Sequence, residues 1–260
     1  MRTLHIIMPM AGRGSRFLEQ GITIPKPLIR VEGIPLFKRA LDGLADIEAP
    51  RKYTFIVRQE HIRDFSIDNS LKAMFPDAAI IGVEHTTRGA VETCLLAGER
   101  ISPDDAVAVQ DCDLEFHSES FNRGIAGDLQ KNSPDVAGRV ISFDAEDPRY
   151  SYAQITGDGR VLQTAEKQVI SRHALAGAYY FSRGDCFLAA AHELLRRFEN
   201  GMTQTKELYL SLLYNILLES DNRILLHELE LYRSFGTPEE LAGTAWDWKL
   251  DHVEDLLHHI

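Results

Sequence analysis

Short apolar runs alternating with helical periodicity constrain the first half of this chain more than any other feature. Leu4–Met8, Tyr53–Val57, Ala79–Val83 and Ala106–Gln110 have the length and composition of strands. Between them, Ile34–Leu44 places Leu36, Ala40, Leu41 and Leu44 at helical spacing. A polar helical stretch then runs on to Phe75, and Gly89–Arg100 buries Val91, Leu95, Leu96 and Ala97. Parallel strands need a crossover, and the helix that makes it covers one face of the sheet. The alternation therefore predicts a mostly parallel α/β sheet with helices on both faces. Ligands in such sheets bind beyond the carboxyl ends of the strands. The loop after Leu4–Met8 and the segment Asp111–Asp113 both sit at such ends.

The second half changes pattern. Val136–Phe143, Tyr152–Thr156, Arg160–Thr164 and Leu175–Phe181 have strand character, with Gly157-Asp158-Gly159 as a tight turn. They predict a smaller antiparallel layer. Asp185–Phe198 is a helix whose Phe187, Ala191, Leu194, Leu195 and Phe198 face the core. Glu207–Leu218 is another helix, Arg223–Glu230 a last strand, and Pro238–Leu257 largely helical.

The glycine-bearing loop carries the first chemistry. Met10, Ala11, Gly12, Arg13, Gly14, Ser15 and Arg16 follow the first strand, and Pro25-Lys26-Pro27 comes shortly after. Glycines without Cβ let backbone N–H groups approach phosphate oxygens closely. Arg16 offers a planar fork of donors and Lys26 a point charge, and the flanking prolines fix φ on both sides of it. Phe17 at the third small position spoils the dinucleotide fingerprint, which makes an oxidoreductase the least favoured class. No Gly-Lys-Ser/Thr follows, so this is not a P-loop.

In this order, loop, Arg16, Pro-Lys-Pro and apolar run resemble the signature of the sugar-phosphate nucleotidyltransferases, or nucleoside-diphosphate-sugar pyrophosphorylases. The short type serving capsule and cell-surface polysaccharide synthesis is the nearest match. The resemblance runs from Ile6 to about Leu241. It implies a Rossmann-like three-layer α/β/α fold with a mostly parallel mixed sheet and a smaller antiparallel acceptor-binding layer. It also implies one domain over 1–260, with a nucleotide-binding half at 1–134, an acceptor-binding half at 135–241 and a C-terminal helix at 242–260.

A carboxylate at a strand's carboxyl end, facing a phosphate loop, is where Mg²⁺ on a triphosphate would be held. Asp111 and Asp113 point to the same side if the strand continues, although both are also ordinary loop carboxylates. The resemblance assigns the metal to Asp113, with Asp111 supporting it. It gives Arg16 and Lys26 the catalytic charges, and Met10, Ala11, Gly12, Arg13, Gly14 and Ser15 the nucleotide. Glu166, Lys167 and Gly177, in AEKQVISRHALAGAYYF, would line the acceptor pocket, Lys167 on the acceptor's phosphate and Glu166 on a sugar hydroxyl. A surface ion pair is the plain alternative for Glu166 and Lys167, and Gln168 stands where the family has proline. Thr87 and Gly89 would contact base or ribose, or Thr87 would simply cap a helix. Ser234-Phe235-Gly236-Thr237-Pro238-Glu239 matches a Gly-Thr-Pro-Glu/Asp segment, but Ser234 stands where many members carry a second metal-binding Asp. Either Glu228 or Glu230 replaces it, or the metal relies on phosphates and water.

Composition bounds the partners. The 260 residues carry a formal net charge of -11, which argues against nucleic acid and anionic membranes as partners but not against a local phosphate site. The three cysteines have no CxxC spacing, so neither a disulfide framework nor a zinc site is expected, and His258-His259 suits a frayed helix end better than a metal site. With no signal-peptide pattern and no run near ~20 apolar residues, the expected location is the cytoplasm. A homodimer through the C-terminal helix is a further expectation. The function expected is Mg²⁺-dependent transfer from a nucleoside triphosphate to a sugar 1-phosphate. The alternatives are a cytidylyltransferase acting on phosphocholine or a phosphonate, and a regulatory protein that binds nucleotide without turnover.

Overall fold

The computed structural model describes residues 1–131 and 134–245. The chain opens with β1 (Leu4–Met10), the short helix α1 (Ser15–Glu19) and a 3-10 turn at Lys26–Leu28. A two-stranded ribbon, β2 (Arg30–Val31) and β3 (Ile34–Pro35), leads into α2 (Leu36–Asp42). Next come β4 (Arg51–Arg58), α3 (Gln59–Phe65), α4 (Ile67–Met74), β5 (Ala79–Val83) and α5 (Ala90–Leu95). β6 (Ala106–Gln110), β7 (Leu114–His117), α6 (Glu119–Leu129) and β8 (Gly138–Asp144) follow. The hairpin β9 (Ser151–Ile155) and β10 (Val161–Glu166) precedes β11 (His173–Phe181) and the long helix α7 (Gly184–Glu199). The described chain closes with α8 (Leu213–Leu218), β12 (Ile224–Glu228), β13 (Leu231–Ser234) and α9 (Pro238–Ala245).

One nine-stranded mixed sheet organises these elements. β5, β4, β1 and β6 run parallel, with Met10 opposite Val57 and Ile7 opposite Val109. β11 then pairs antiparallel with β6, β8 antiparallel with β11, and β12 parallel with β8. The β9–β10 hairpin joins at the start of β11, where Ala174 meets Tyr152. The antiparallel strands thus extend the same sheet, and small antiparallel ribbons (β2–β3 and β7–β13) stand beside it. Alternation along β1 separates two cores. Ile6 and Met8 pack on one face with Phe37, Phe55 and Phe121, and Ile7 packs on the other with Val109, Phe187 and Tyr214. This is the three-layer α/β/α arrangement expected.

The structure shortens several expected helices for local reasons. Pro35 lies in β3, and α2 starts directly after it, where a missing N–H costs nothing. The stretch to Phe75 breaks at Ser66, whose φ of 51° is left-handed. Gly89–Arg100 divides into α5 and a 3-10 turn at Gly98–Arg100, and Glu207–Leu218 is helical only from Leu210. β7, α6 and β13 were not expected. In α6 the buried Phe121, Ile125 and Leu129 repeat every four residues, but Gly124, Gly127 and Asp128 dilute the pattern. No helix among the described residues is long and apolar enough to cross a membrane. The described cysteines are free thiols. Residues beyond 245, including His258, His259 and most of the helix expected to form a dimer, lie outside the described residues.

A buried ion pair ties α6 to the sheet. Arg139 on β8 donates to both carboxylate oxygens of Asp128, at 2.8 and 3.0 Å, with side-chain exposures of 10% and 4%. Its Nη1 also donates to His227 Nε2 at 3.0 Å, since a guanidinium can only donate. A Cβ on Gly124 would come within 2.6 Å of that same Nη1, so glycine is needed for the approach. Asp128→Asn leaves the guanidinium buried without its counter-charge. It is expected to lower the unfolding free energy by ~3–5 kcal/mol, read from denaturant titration.

His5 on β1 adds a pH dependence. Its Nε2 lies 2.8 Å from Thr54 Oγ1 on β4, and burial is the main cause that pushes its pKa from 6.5 down to about 4. Unfolded, the imidazole takes up its proton near 6.5, whereas folded it stays neutral to about 4. Its contribution is therefore present above 6.5 and is lost as the pH falls through that window, at ~1.4 kcal/mol per pH unit. His227, lowered by burial and then by Arg139, adds a slope of the same sign. Unfolding titrations between pH 7 and 4 are expected to show this slope, and His5→Gln to reduce it while leaving the His227 part.

Candidate active site

β1 and β6 are adjacent and parallel, so their carboxyl ends bring two loops together. After β1, Gly14 adopts φ 64°, a left-handed conformation that glycine takes without Cβ strain, and starts α1. Its carbonyl accepts from Phe17 N and Leu18 N. Phe17, 2% exposed, buries itself with Ile29, Val31, Leu36, Phe235 and Leu241. One small apolar cluster therefore anchors the glycine loop, the segment after Pro-Lys-Pro and the Gly-Thr-Pro segment together.

The Pro25-Lys26-Pro27 stretch closes as a tight turn, with Leu28 N donating to Pro25 O at 2.8 Å. It delivers Lys26 Nζ to Asp113 Oδ2 at 2.6 Å, and each of these side chains is 23% exposed. Burial alone would lower the Lys26 pKa, but Asp113, by its charge and its hydrogen bond, outweighs it and holds the ammonium well above its usual value. Asp111 is the reverse case. Burial first, then the charge of Asp113, pushes it up to about 7 against the opposing pull of Lys26.

Backbone bonds fix this acidic loop from both sides. Asp111 N donates to Gly177 O at 2.8 Å, and Phe235 N donates to Asp113 O at 2.7 Å. Gly177 lies where the pairing of β11 with β8 shifts register, at φ 24°. A Cβ there would stand 2.5 Å from Leu114 Cδ2 and 2.6 Å from Asp111 Oδ2. Glycine at 177 is therefore what leaves room for the Asp111 carboxylate.

Two cavities share Asp111 and Asp113 as a common wall. The larger, about 390 Å³, is lined by Met10, Gly12, Arg13, Gly14 and Lys26 together with Glu60 and His61. The smaller, about 240 Å³, is lined by Arg16, Arg149, Glu166, Gly177 and the tyrosines 150, 179, 209 and 232. Glu166 Oε2 accepts from the hydroxyls of Ser151 and Ser211, and burial is the main cause raising its pKa.

The site residues expected from sequence thus divide. Met10, Gly12, Arg13, Gly14 and Lys26 border the larger cavity, and Glu166 and Gly177 the smaller. Arg16 faces the smaller cavity, not the loop's own. Ala11 and Ser15 border neither. The Ala11 carbonyl accepts from Arg58, and Ser15 begins α1. Thr87 and Gly89 also border neither. Gly89, not Thr87, precedes α5. Thr87 donates to the Gly89 carbonyl, and a Cβ on Gly89 would meet Leu208 N at 2.5 Å. Their neighbour Thr86 is the residue that reaches the loop, accepting from Arg13 at 3.2 Å. Lys167 stands outside the smaller cavity's lining, donating at 2.8 Å to the hydroxyl of Tyr209. Glu228 and Glu230 border neither cavity, and the Glu230 carboxylate accepts from Glu119 N.

Sequence reasoning missed Arg149, the four tyrosines and Glu240. Glu240 sits one residue past the segment that was read, and its Oε2 accepts from Ser234 Oγ at 2.7 Å and Gly236 N at 3.0 Å. The point where a Cβ on Gly236 would sit is 3.1 Å from that oxygen and 3.4 Å from Asp113 Oδ2. The gap left by this glycine is bordered by two carboxylates and a hydroxyl, the kind of oxygen donors a hard divalent cation takes. Among the described residues no group of three His, Cys, Asp or Glu side chains could hold a metal unaided. An ion here would complete its shell with ligand oxygens and water.

No family model matches the sequence, and no curated protein does. Solved structures do. A nucleoside-diphosphate-sugar pyrophosphorylase from Vibrio cholerae RC9 is 26% identical, with a TM-score of 0.78 over 92% of this chain and 98% of its own. In fold, the chain is similar to the nucleoside-diphosphate-sugar pyrophosphorylases. A putative glucose-1-phosphate thymidylyltransferase from Bacillus anthracis (16% identity, TM-score 0.70, 98% of this chain and 99% of that one) shares the architecture. So does an inositol-1-phosphate CTP transferase from T. maritima (12%, 0.69, 94% and 93%). At these lower identities the likeness concerns the fold alone.

Two glycines separate space from function at this site. Gly177→Ala is expected to lower the unfolding free energy by ~1–3 kcal/mol, because its methyl group has nowhere to go. Gly12→Ala, whose Cβ would meet nothing within 4 Å, is expected to fold as stably as the parent while obstructing the larger cavity. Denaturant titration of both variants, with nucleotide-induced thermal shifts, checks the pair.

Proposed function

We propose that the protein is a nucleotidyltransferase that joins a nucleoside triphosphate to a sugar 1-phosphate, releasing pyrophosphate, for surface polysaccharide synthesis. The observation that carries this reading is the wall of Asp111 and Asp113, paired with Lys26, between two cavities. A triphosphate in one and a phosphorylated acceptor in the other would meet at that wall.

The acceptor's phosphate oxygen attacks the α-phosphorus in line. A new O–P bond forms as the bond to the β-phosphate oxygen breaks, and pyrophosphate leaves. The nucleophile is already anionic, so no side chain has to remove a proton. The chain's task is to position two anions and to offset their repulsion. Amides of the Gly12–Gly14 loop and Arg13 hold the leaving phosphates. Lys26 neutralises charge around the α-phosphate. Arg16 and Arg149, both on the smaller cavity, receive the acceptor's phosphate, a task the family resemblance assigns to Lys167. Glu166, held through Oε2 by two serines, offers Oε1 to an acceptor hydroxyl. Asp113 would hold Mg²⁺, which supplies further charge stabilisation at the triphosphate when bound.

Ser234, standing where many relatives carry a carboxylate, leaves a second reading, in which phosphocholine is the acceptor. Pyrophosphate release, measured with Mg²⁺, each NTP including dTTP, and a panel of sugar 1-phosphates plus phosphocholine, decides between them. One NTP with one sugar phosphate is the expected result, and phosphocholine alone would support the second reading. Nucleotide binding without pyrophosphate from any acceptor would instead indicate a regulatory protein. On the productive pair, Lys26→Ala is expected to lower kcat ~10²–10³-fold with unchanged fold. Unchanged turnover would remove Lys26 from the chemistry.

A further inference from the structure

Glu240 has no role in the reaction as drawn, yet its surroundings are those of a metal-binding carboxylate. It lies in the first turn of α9, where Thr237 Oγ1 accepts from its amide at 3.2 Å. A carboxylate at this helical position ordinarily folds back on the capping residue's own N–H. Glu240 reaches further, to Ser234 Oγ and Gly236 N through Oε2, and to Arg149 Nη1 at 2.8 Å through Oε1. Its side chain is 18% exposed, and it borders the same glycine-made gap as Asp113 Oδ2.

Two carboxylates facing one gap repel unless cations offset them. Lys26 offsets Asp113, and Arg149, which also pairs with Asp147 at 3.2 Å, offsets Glu240. Both cations line a cavity with room for a phosphate-bearing ligand. Resting on the nucleotidyltransferase reading, we propose that Asp113 and Glu240, with Ser234, jointly bind the divalent cation, and that Lys26 and Arg149 are exchangeable counter-ions. When cation and substrates arrive, the carboxylates pass to the metal, and the ammonium and guanidinium pass to phosphate oxygens. The carboxylate missing at position 234 is then supplied from six positions further on. Ser234 contributes by holding Glu240 in reach.

Tyrosine-sensitised luminescence of Tb³⁺, an oxygen-seeking probe competed off by Mg²⁺, tests this on the full chain without turnover, since Tyr150 and Tyr232 line the same cavity. Asp113→Asn and Glu240→Gln are each expected to weaken Tb³⁺ binding at least tenfold. Glu239→Gln, next along the chain but engaged with Gln20, is expected to stay within twofold of the parent. Arg149→Met is expected to strengthen binding about threefold or more, because it removes a competing cation. Glu240→Gln retains a hydrogen-bond acceptor for Ser234 and Gly236, so a purely helix-capping role would leave Tb³⁺ affinity unchanged. That result, with Asp113→Asn still weakened, would overturn this inference and leave the proposed reaction standing. Unchanged affinity in Asp113→Asn would overturn both. Weaker or unaltered binding in Arg149→Met would overturn the counter-ion exchange, independently of how Glu240→Gln behaves.

Discussion

The ion pair between Lys26 and Asp113 is the contact on which the site depends. It joins residues 87 positions apart and fixes the Pro-Lys-Pro turn against the acidic loop. Neither partner could hold this position alone. Lys26 is presented by a turn with prolines on both sides, and Asp113 by a loop whose backbone is bonded to Phe235. Behind them, Phe17 and Phe235 share one apolar cluster, so hydrophobic packing sets the distance at which the charges meet. A lysine on a flexible surface loop would lose most of this to entropy and solvent screening.

The same pairing explains how a chain with a net charge of -11 presents a site for anions. The overall charge is spread over the surface, whereas the field in a cleft is set by the few groups lining it. At the wall between the cavities the carboxylates are balanced by Lys26 and Arg149, while burial first and then Asp113 raise the Asp111 pKa. Glycine does the spatial part. Gly177 makes room for the Asp111 carboxylate, and Gly236 keeps open the gap between Asp113 and Glu240.

Much of the sheet was legible because its signals are local. Ala79–Val83 and Ala106–Gln110 have the limits expected from their apolar runs, and β1 continues only two residues beyond Met8. The place of the glycine loop and Lys26 at one cavity was legible for the same reason, since the segments are short and local. What depends on contacts distant in sequence was not. Lys167 carries the right charge beside Glu166, but its positive φ of 54° and the Tyr209 hydroxyl take it out of the cavity lining. Gly89 was read as a ligand contact, whereas its backbone packs on Leu208. Arg149 and Glu240 meet across 91 positions, and only the folded chain brings them to Asp113.

A single direct displacement across the shared wall is the core of this account, and the stereochemistry at phosphorus tests it most directly. An α-thio nucleoside triphosphate of defined configuration, turned over with the productive acceptor, gives a product whose configuration is read by ³¹P NMR. Inversion is the result the account predicts, because both substrates are held at once and the acceptor displaces pyrophosphate in line. Retention would contradict it, since two successive displacements through a nucleotidylated side chain would then be required.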